Sequence, residues 1–88
     1  MKWTVVWNPN ASNQLADIWL RAVDRNAVAS ATAEIERAIA QDPENAGFEY
    51  YGDRLYVVLP ISAVYEISPP DRLVRVIDVF YRGPQREP

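Results

Sequence analysis

The sequence predicts a small α+β domain with element order β-α-α-β-β-β, an antiparallel sheet carrying a two-helix hairpin on one face. Three observations lead there. Helical periodicity is confined to the stretch between Asn8-Pro9-Asn10 and Asp42-Pro43. A β-branched and aromatic run precedes that stretch, and three more follow it. The three later runs are separated only by Pro60 and by Ser68-Pro69-Pro70-Asp71. Strands joined so closely turn back on one another and pair antiparallel. A hairpin packed on one face is the simplest way to bury them, and it leaves the other face open.

The first strand is Trp3-Thr4-Val5-Val6-Trp7, with both tryptophans on one side of it by the period of two. Asn8-Pro9-Asn10 breaks the strand and offers a helix cap. Leu15, Ile18, Trp19 and Ala22 then share one face of a helix over about residues 10–25. Asn26 is the expected joint and cap of a second helix, Ala27 to Ala40, striped by Val28, Ala31, Ile35, Ala38 and Ile39. Asp42-Pro43 ends it, because a residue before proline is pushed out of the helical region. So short a joint makes the two helices antiparallel neighbours. Residues 42–53 read as a loop. The last three strands are Arg54–Leu59, Ile61–Ile67 and Leu73–Tyr81, and the domain spans 1–82. The tail 83–88, without an apolar anchor, is expected to be flexible. The three tryptophans are expected in the core, where they could stack.

Composition narrows the chemistry. The chain has 88 residues, 49% of them hydrophobic, with three Trp and five Tyr, which suits one globular domain. It has neither cysteine nor histidine, so thiolate chemistry, the commonest general base and the commonest metal ligand are all missing. No phosphate-loop glycine pattern and no regularly spaced set of acids occurs, so no metal and no cofactor is expected. The apolar runs fall far below the roughly 18 residues needed to span a membrane. With no signal peptide in the opening residues, the expected place is the cytoplasm.

Net charge is −3, unfavourable for broad binding to nucleic acid. The charge is uneven. Residues 8–53 hold three Arg against eight acids, and residues 54–88 hold five Arg against four. An anionic ligand would be better received on the second half.

The order of elements, with Trp7-Asn8-Pro9, Leu15-Ala16-Asp17-Ile18-Trp19, Gly52-Asp53-Arg54-Leu55, Val64-Tyr65-Glu66-Ile67 and Val74 to Arg82, resembles the RelE/ParE toxin superfamily of bacterial type II toxin–antitoxin systems, or plasmid stabilisation proteins. The resemblance runs from Trp3 to about Arg82. It implies a toxin silenced by a cognate antitoxin, acting either on DNA gyrase like ParE or as a ribosome-dependent mRNA endoribonuclease like RelE. A non-toxic interaction domain on the same fold, such as a homodimer with Leu55, Val57 or Val79 in its contact, is a third expectation.

The resemblance also marks residues. Arg54 stands at the family's strand-two arginine, Tyr65 at its strand-three tyrosine, Tyr81 where a histidine is frequent, and Arg82 in the basic ending. Together with Arg75 these are the candidates for an RNA-cleaving site, where cations stabilise charge developing on phosphate. Each also has an ordinary reading. Arg54 can be a turn residue or the salt-bridge partner of Asp53. Tyr65 lies in the apolar alternation of Ile61, Ala63 and Ile67 and suits a core position. Arg75, facing with Leu73, Ile77 and Val79 by the period of two, can be a strand-edge residue, and Tyr81 and Arg82 plain surface. The family's nucleases are strongly basic, whereas this chain is acidic with one lysine. That departure favours a ParE-like inhibitor and no enzymatic activity.

Overall fold

The computed structural model describes residues 2–85. Strand β1 (Thr4–Trp7) leads into helices α1 (Pro9–Arg21) and α2 (Arg25–Gln41) and a one-turn helix α3 (Pro43–Ala46). Strands β2 (Phe48–Tyr50), β3 (Asp53–Val58), β4 (Ile61–Ser68) and β5 (Leu73–Tyr81) follow. They form one five-stranded sheet in the order β1-β5-β4-β3-β2. The α+β class and the order of the major elements agree with the sequence. The sheet itself is mixed and not wholly antiparallel. β2 to β5 pair antiparallel, but β1 lies parallel to β5, with Val5 opposite Val74 and Trp7 opposite Val76. The two-helix crossover after β1 allows it to reach the far edge of the longest strand.

Local chemistry accounts for the helix boundaries. The Asn8 side chain accepts from the Ala11 amide at 2.8 Å, and Pro9 starts α1 where a missing N–H costs nothing. The helix stops at Arg21, earlier than its apolar pattern suggests, because Ala22 turns extended and bridges Gln85. The cap of α2 is Asp24, not Asn26. Its carboxylate accepts from the Ala27 amide at 3.0 Å, and a negative charge also suits the helix N-terminus.

The segment 42–53, expected as loop, contains α3 and β2. Pro43 begins α3, and the pairing of Phe48 with Leu55 and Tyr50 with Asp53 closes a hairpin at Tyr51-Gly52. Both turn residues have positive φ, 50° and 88°, as a two-residue hairpin loop requires. The β3–β4 turn holds a cis Leu59–Pro60 bond. From the expected tail, residues 83–85 run beside the end of α1, where the Val23 amide donates to the Pro84 carbonyl at 3.2 Å. Residues 86–88 of that tail lie outside the described residues.

The core fills the space between the helices and one sheet face. Ile35 and Ile39 of α2 meet Ile61, Ala63 and Tyr65 of β4 and Val74 and Val76 of β5. A bulge at Val64/Tyr65 changes the side-chain direction along β5. Tyr65 pairs with Val76 and Val64 with Asp78, leaving Ile77 over. Val79 therefore falls on the core side opposite Ala63 and is buried, while Arg75 faces the other way opposite Glu66. A strict period of two puts Arg75 and Val79 on one side, and the homodimer expectation puts Val79 on an exposed contact patch. Both expectations are corrected by that one extra residue. Among the described residues no helix is long and apolar enough to cross a membrane.

Helix α1 also closes the sheet. β1 covers only the first half of β5's outer edge, and α1 side chains cover part of the rest. The Gln14 side-chain carbonyl accepts from the Val79 amide at 2.8 Å, and its amide donates to Asp78 at 3.1 Å. Asn10 donates to the Ile77 carbonyl at 3.3 Å. An exposed edge is thereby satisfied by amides, which mimic the missing strand.

Candidate functional site

The five candidate residues do not gather at one place. Arg54 and Tyr65 are opposite one another on β3 and β4, on the core side of the sheet. Their polar groups are spent on the chain itself. The Tyr65 hydroxyl donates to the Pro43 carbonyl at 2.7 Å and accepts from the Gly47 amide at 3.0 Å. Arg54 donates through Nη2 to the Gly47 carbonyl, and its Nε is buried without a hydrogen-bond partner. Together they grip the connection between α3 and β2. Burial pushes the Tyr65 hydroxyl pKa up, against the opposing pull of Arg54 and of the Gly47 hydrogen bond. Tyr65 is 0% exposed, as the core reading of the β4 alternation expected.

The others lie apart. Arg75 forms a 2.6 Å ion pair with Glu66 on the open face of the sheet, both side chains 43% exposed. Tyr81 pairs with Ile61, roughly 13 Å along β4 from Tyr65 at the usual strand rise. Its hydroxyl donates to the Pro84 carbonyl at 2.6 Å, which ties the chain end to the sheet. Arg82 is exposed, and its amide donates to the Pro60 carbonyl at 2.8 Å. These positions divide between two sheet faces and two ends of the sheet, so a single phosphate could not touch them all.

A different feature has the shape of a binding site. α1 packs chiefly on β5 and only lightly on α2, which opens a groove of about 660 Å³ between the helices. Trp7 of β1 floors it, and Ser12, Leu15, Ala16, Trp19 and Leu20 of α1 with Glu36 of α2 line it. Trp19 is 39% exposed and Leu20 63%, a large apolar area for a chain this small.

Sequence reasoning assigned Trp19 to the core stripe and overlooked this groove. A legible signal was present: Ala16, Trp19, Leu20 and Val23 form a second apolar stripe at spacings of three, one and three, beside the core-facing one. The tryptophans do not stack as one cluster. The Trp3 ring lies 4.6 Å from the Arg72 guanidinium and the Trp19 ring 5.9 Å from that of Arg25.

Comparison with known proteins finds no matching family model and no matching curated sequence. Solved structures do match. A chain of the toxin–antitoxin complex RelBE2 from Mycobacterium tuberculosis superposes with a TM-score of 0.75 at 16% identity, over 93% of this chain and 100% of that one. A chain of the chromosomal ParDE toxin–antitoxin system from P. aeruginosa gives 0.66 at 15% identity, over 91% and 96%. Likeness over nearly the full length of both chains, with so little shared sequence, is a likeness of architecture. The chain has the RelE/ParE toxin fold.

Proposed function

We propose that this chain is the toxin of a bacterial type II toxin–antitoxin system, a ParE-like inhibitor that works by binding protein in the cytoplasm. DNA gyrase is the favoured target, and a cognate antitoxin neutralises the toxin by covering the α1–α2 groove. The observation that carries the reading is the contrast between the two candidate regions. The groove is open, apolar and unoccupied by the chain's own side chains. Of the polar groups a nuclease would turn on RNA, Tyr65 and Arg54 are committed to backbone and Arg75 to Glu66. A chain without histidine and with net charge −3 also lacks the usual base and the basic footprint of an RNA-cleaving protein.

Induced expression in a bacterium, with and without the adjacent reading frame, tests the proposal. Growth arrest that the neighbour relieves is expected, together with loss of gyrase supercoiling when purified protein is added. Arrest with cleaved mRNA and untouched supercoiling would replace the inhibitor with an endoribonuclease. Unimpaired growth at good soluble expression would overturn the toxin reading.

A further inference from the structure

The geometry points to the open face of the sheet as the contact between two copies of this chain, stacked face to face about a two-fold axis that runs along β4. The inference is independent of the toxin reading. It starts from where the apolar side chains lie. Leu55 and Val57 of β3, Val64 of β4 and Phe80 of β5 project away from the helices, because their chain neighbours Tyr56, Ala63, Tyr65 and Val79 pack in the core. Phe48 of β2 joins them opposite Leu55. Val57 is 41% exposed, Phe80 46% and Phe48 55%, while Val64 is buried without belonging to the helix-side core. A sheet face left in water is ordinarily polar, so one with this apolar centre suits a covering layer.

Charge selects a second copy as that layer. Two residues along β4 from Val64, Glu66 holds Arg75 of β5 at 2.6 Å. Asp53, which alternates with Leu55 and Val57, lies on the same face of β3. Among the described residues Asp53 has no ion pair, and Arg75 reaches Glu66 through Nη1 alone. Within one chain the two cannot meet, because β4 separates β3 from β5 and holds them about 10 Å apart. A two-fold axis along β4 exchanges β3 with β5. It sets Arg75 of each copy over Asp53 of the other, Phe80 over Val57, and Val64 over its own counterpart. Glu66 also meets its counterpart, each one neutralised by its own Arg75. The face thus supplies both halves of a self-complementary contact.

The size of the face sets the strength. Five strands at about 4.8 Å and the eight residues of β4 at about 3.4 Å give roughly 600 Å² in each copy, near the lower limit for a specific pair. Two such sheets stack about 10 Å apart with their strands nearly aligned.

Sedimentation equilibrium on the whole chain tests the pairing. The mass should rise from monomer at about 1 μM toward dimer at about 500 μM, the range of a small reversible interface. Val57→Lys sets a charge in the apolar centre and should hold the chain monomeric throughout. Leu20→Lys sets the same charge on the exposed stripe of α1 and should leave the dimer intact. Asp53→Arg and Arg75→Asp each oppose like charges across the axis, and each should weaken self-association about tenfold or more. Mixed in equal amounts, these two variants should recover the wild-type dimer, because every cation of one then faces an acid of the other.

A monomer at every concentration would overturn the inference, as would a dimer that survives Val57→Lys. A dimer lost to Leu20→Lys would move the contact to α1 and overturn it too. Charge variants that stay folded by circular dichroism yet fail to recover on mixing would overturn the two-fold along β4, and the inference with it.

Discussion

The Tyr65 hydroxyl, on a wholly buried side chain, stands 3.0 Å from the Gly47 amide. A side chain on β4 thereby fixes the start of the β2–β3 hairpin, eighteen residues earlier in the chain. The approach is close enough to dictate the residue at position 47. A Cβ there would lie 2.5 Å from the Leu55 carbonyl oxygen and 2.9 Å from the Tyr65 hydroxyl, and Leu55 is held by strand pairing on both sides, to Phe48 and to Val64. Tyr65→Phe keeps the ring and removes only the oxygen. It leaves the Gly47 N–H and the Pro43 carbonyl unpaired, so unfolding in urea should show a loss of about 1–3 kcal/mol. An unchanged midpoint would mean that water or a shift of the loop replaces both bonds.

The same residue sets a pH dependence. Burial raises the folded-state pKa of Tyr65 above its ordinary value of 10.0, so folding favours the protonated phenol. Below the unfolded pKa both states carry the proton and the stabilisation is complete. As pH climbs past the unfolded value, the unfolded chain ionises first, and the advantage is lost progressively up to the folded pKa. Tyr65→Phe cannot lose what it does not have. The stability gap between wild type and Tyr65→Phe should therefore be constant through neutral pH and shrink above about pH 10, as followed by urea midpoints across an alkaline series. A gap that widens with pH would require a depressed pKa and contradict burial as its cause.

Gln14 carries the junction between α1 and the free edge of β5. It accepts from the Val79 amide and donates to Asp78 at the same time. Gln14→Ala removes both bonds at a part-buried position and should cost about 1–2 kcal/mol in chemical denaturation. Gln14→Glu retains an acceptor for Val79 but sets a second carboxylate beside Asp78. Its cost should therefore appear at neutral pH and fade as the medium is acidified through the carboxylate range. Hydrogen exchange at the Val79 amide gives the local readout, faster in Gln14→Ala than in wild type.

How far the sequence could be read depended on the range of each contact. The alternation of Ile61, Ala63, Tyr65 and Ile67 marked a core face because strand periodicity is local, and it placed Tyr65 correctly. Periodicity failed at Ile77, where one extra residue moved Val79 to the core and left Arg75 on the open face. A bulge has no composition of its own. The parallel pairing of Val5 with Val74 joins residues at opposite ends of the chain, which no window along the sequence could hold. β2 was missed because three residues are too few for an alternation to appear.

Family positions carry a related limit. Arg54 and Tyr65 fit a family position, but a position does not show whether a polar group faces substrate or its own backbone. Trp19 and Leu20 were readable as a second stripe, and only the first stripe was followed.

Tyr51 offers the last test, because its backbone works against its residue type. It sits in the left-handed region at φ 50°, in the two-residue turn ahead of Gly52, and its side chain is 90% exposed. A non-glycine residue in that conformation costs roughly 1 kcal/mol, and asparagine pays less because its short side chain tolerates the region. The ring makes an edge-to-face approach to Tyr50 at 4.9 Å, a small return at so exposed a site. Tyr51→Asn should therefore raise stability by about 0.5–1 kcal/mol, read from the urea midpoint at unchanged slope. A destabilised variant would show that the Tyr50–Tyr51 contact outweighs the backbone strain. The hairpin would then owe its turn to the aromatic pair and not to Gly52 alone.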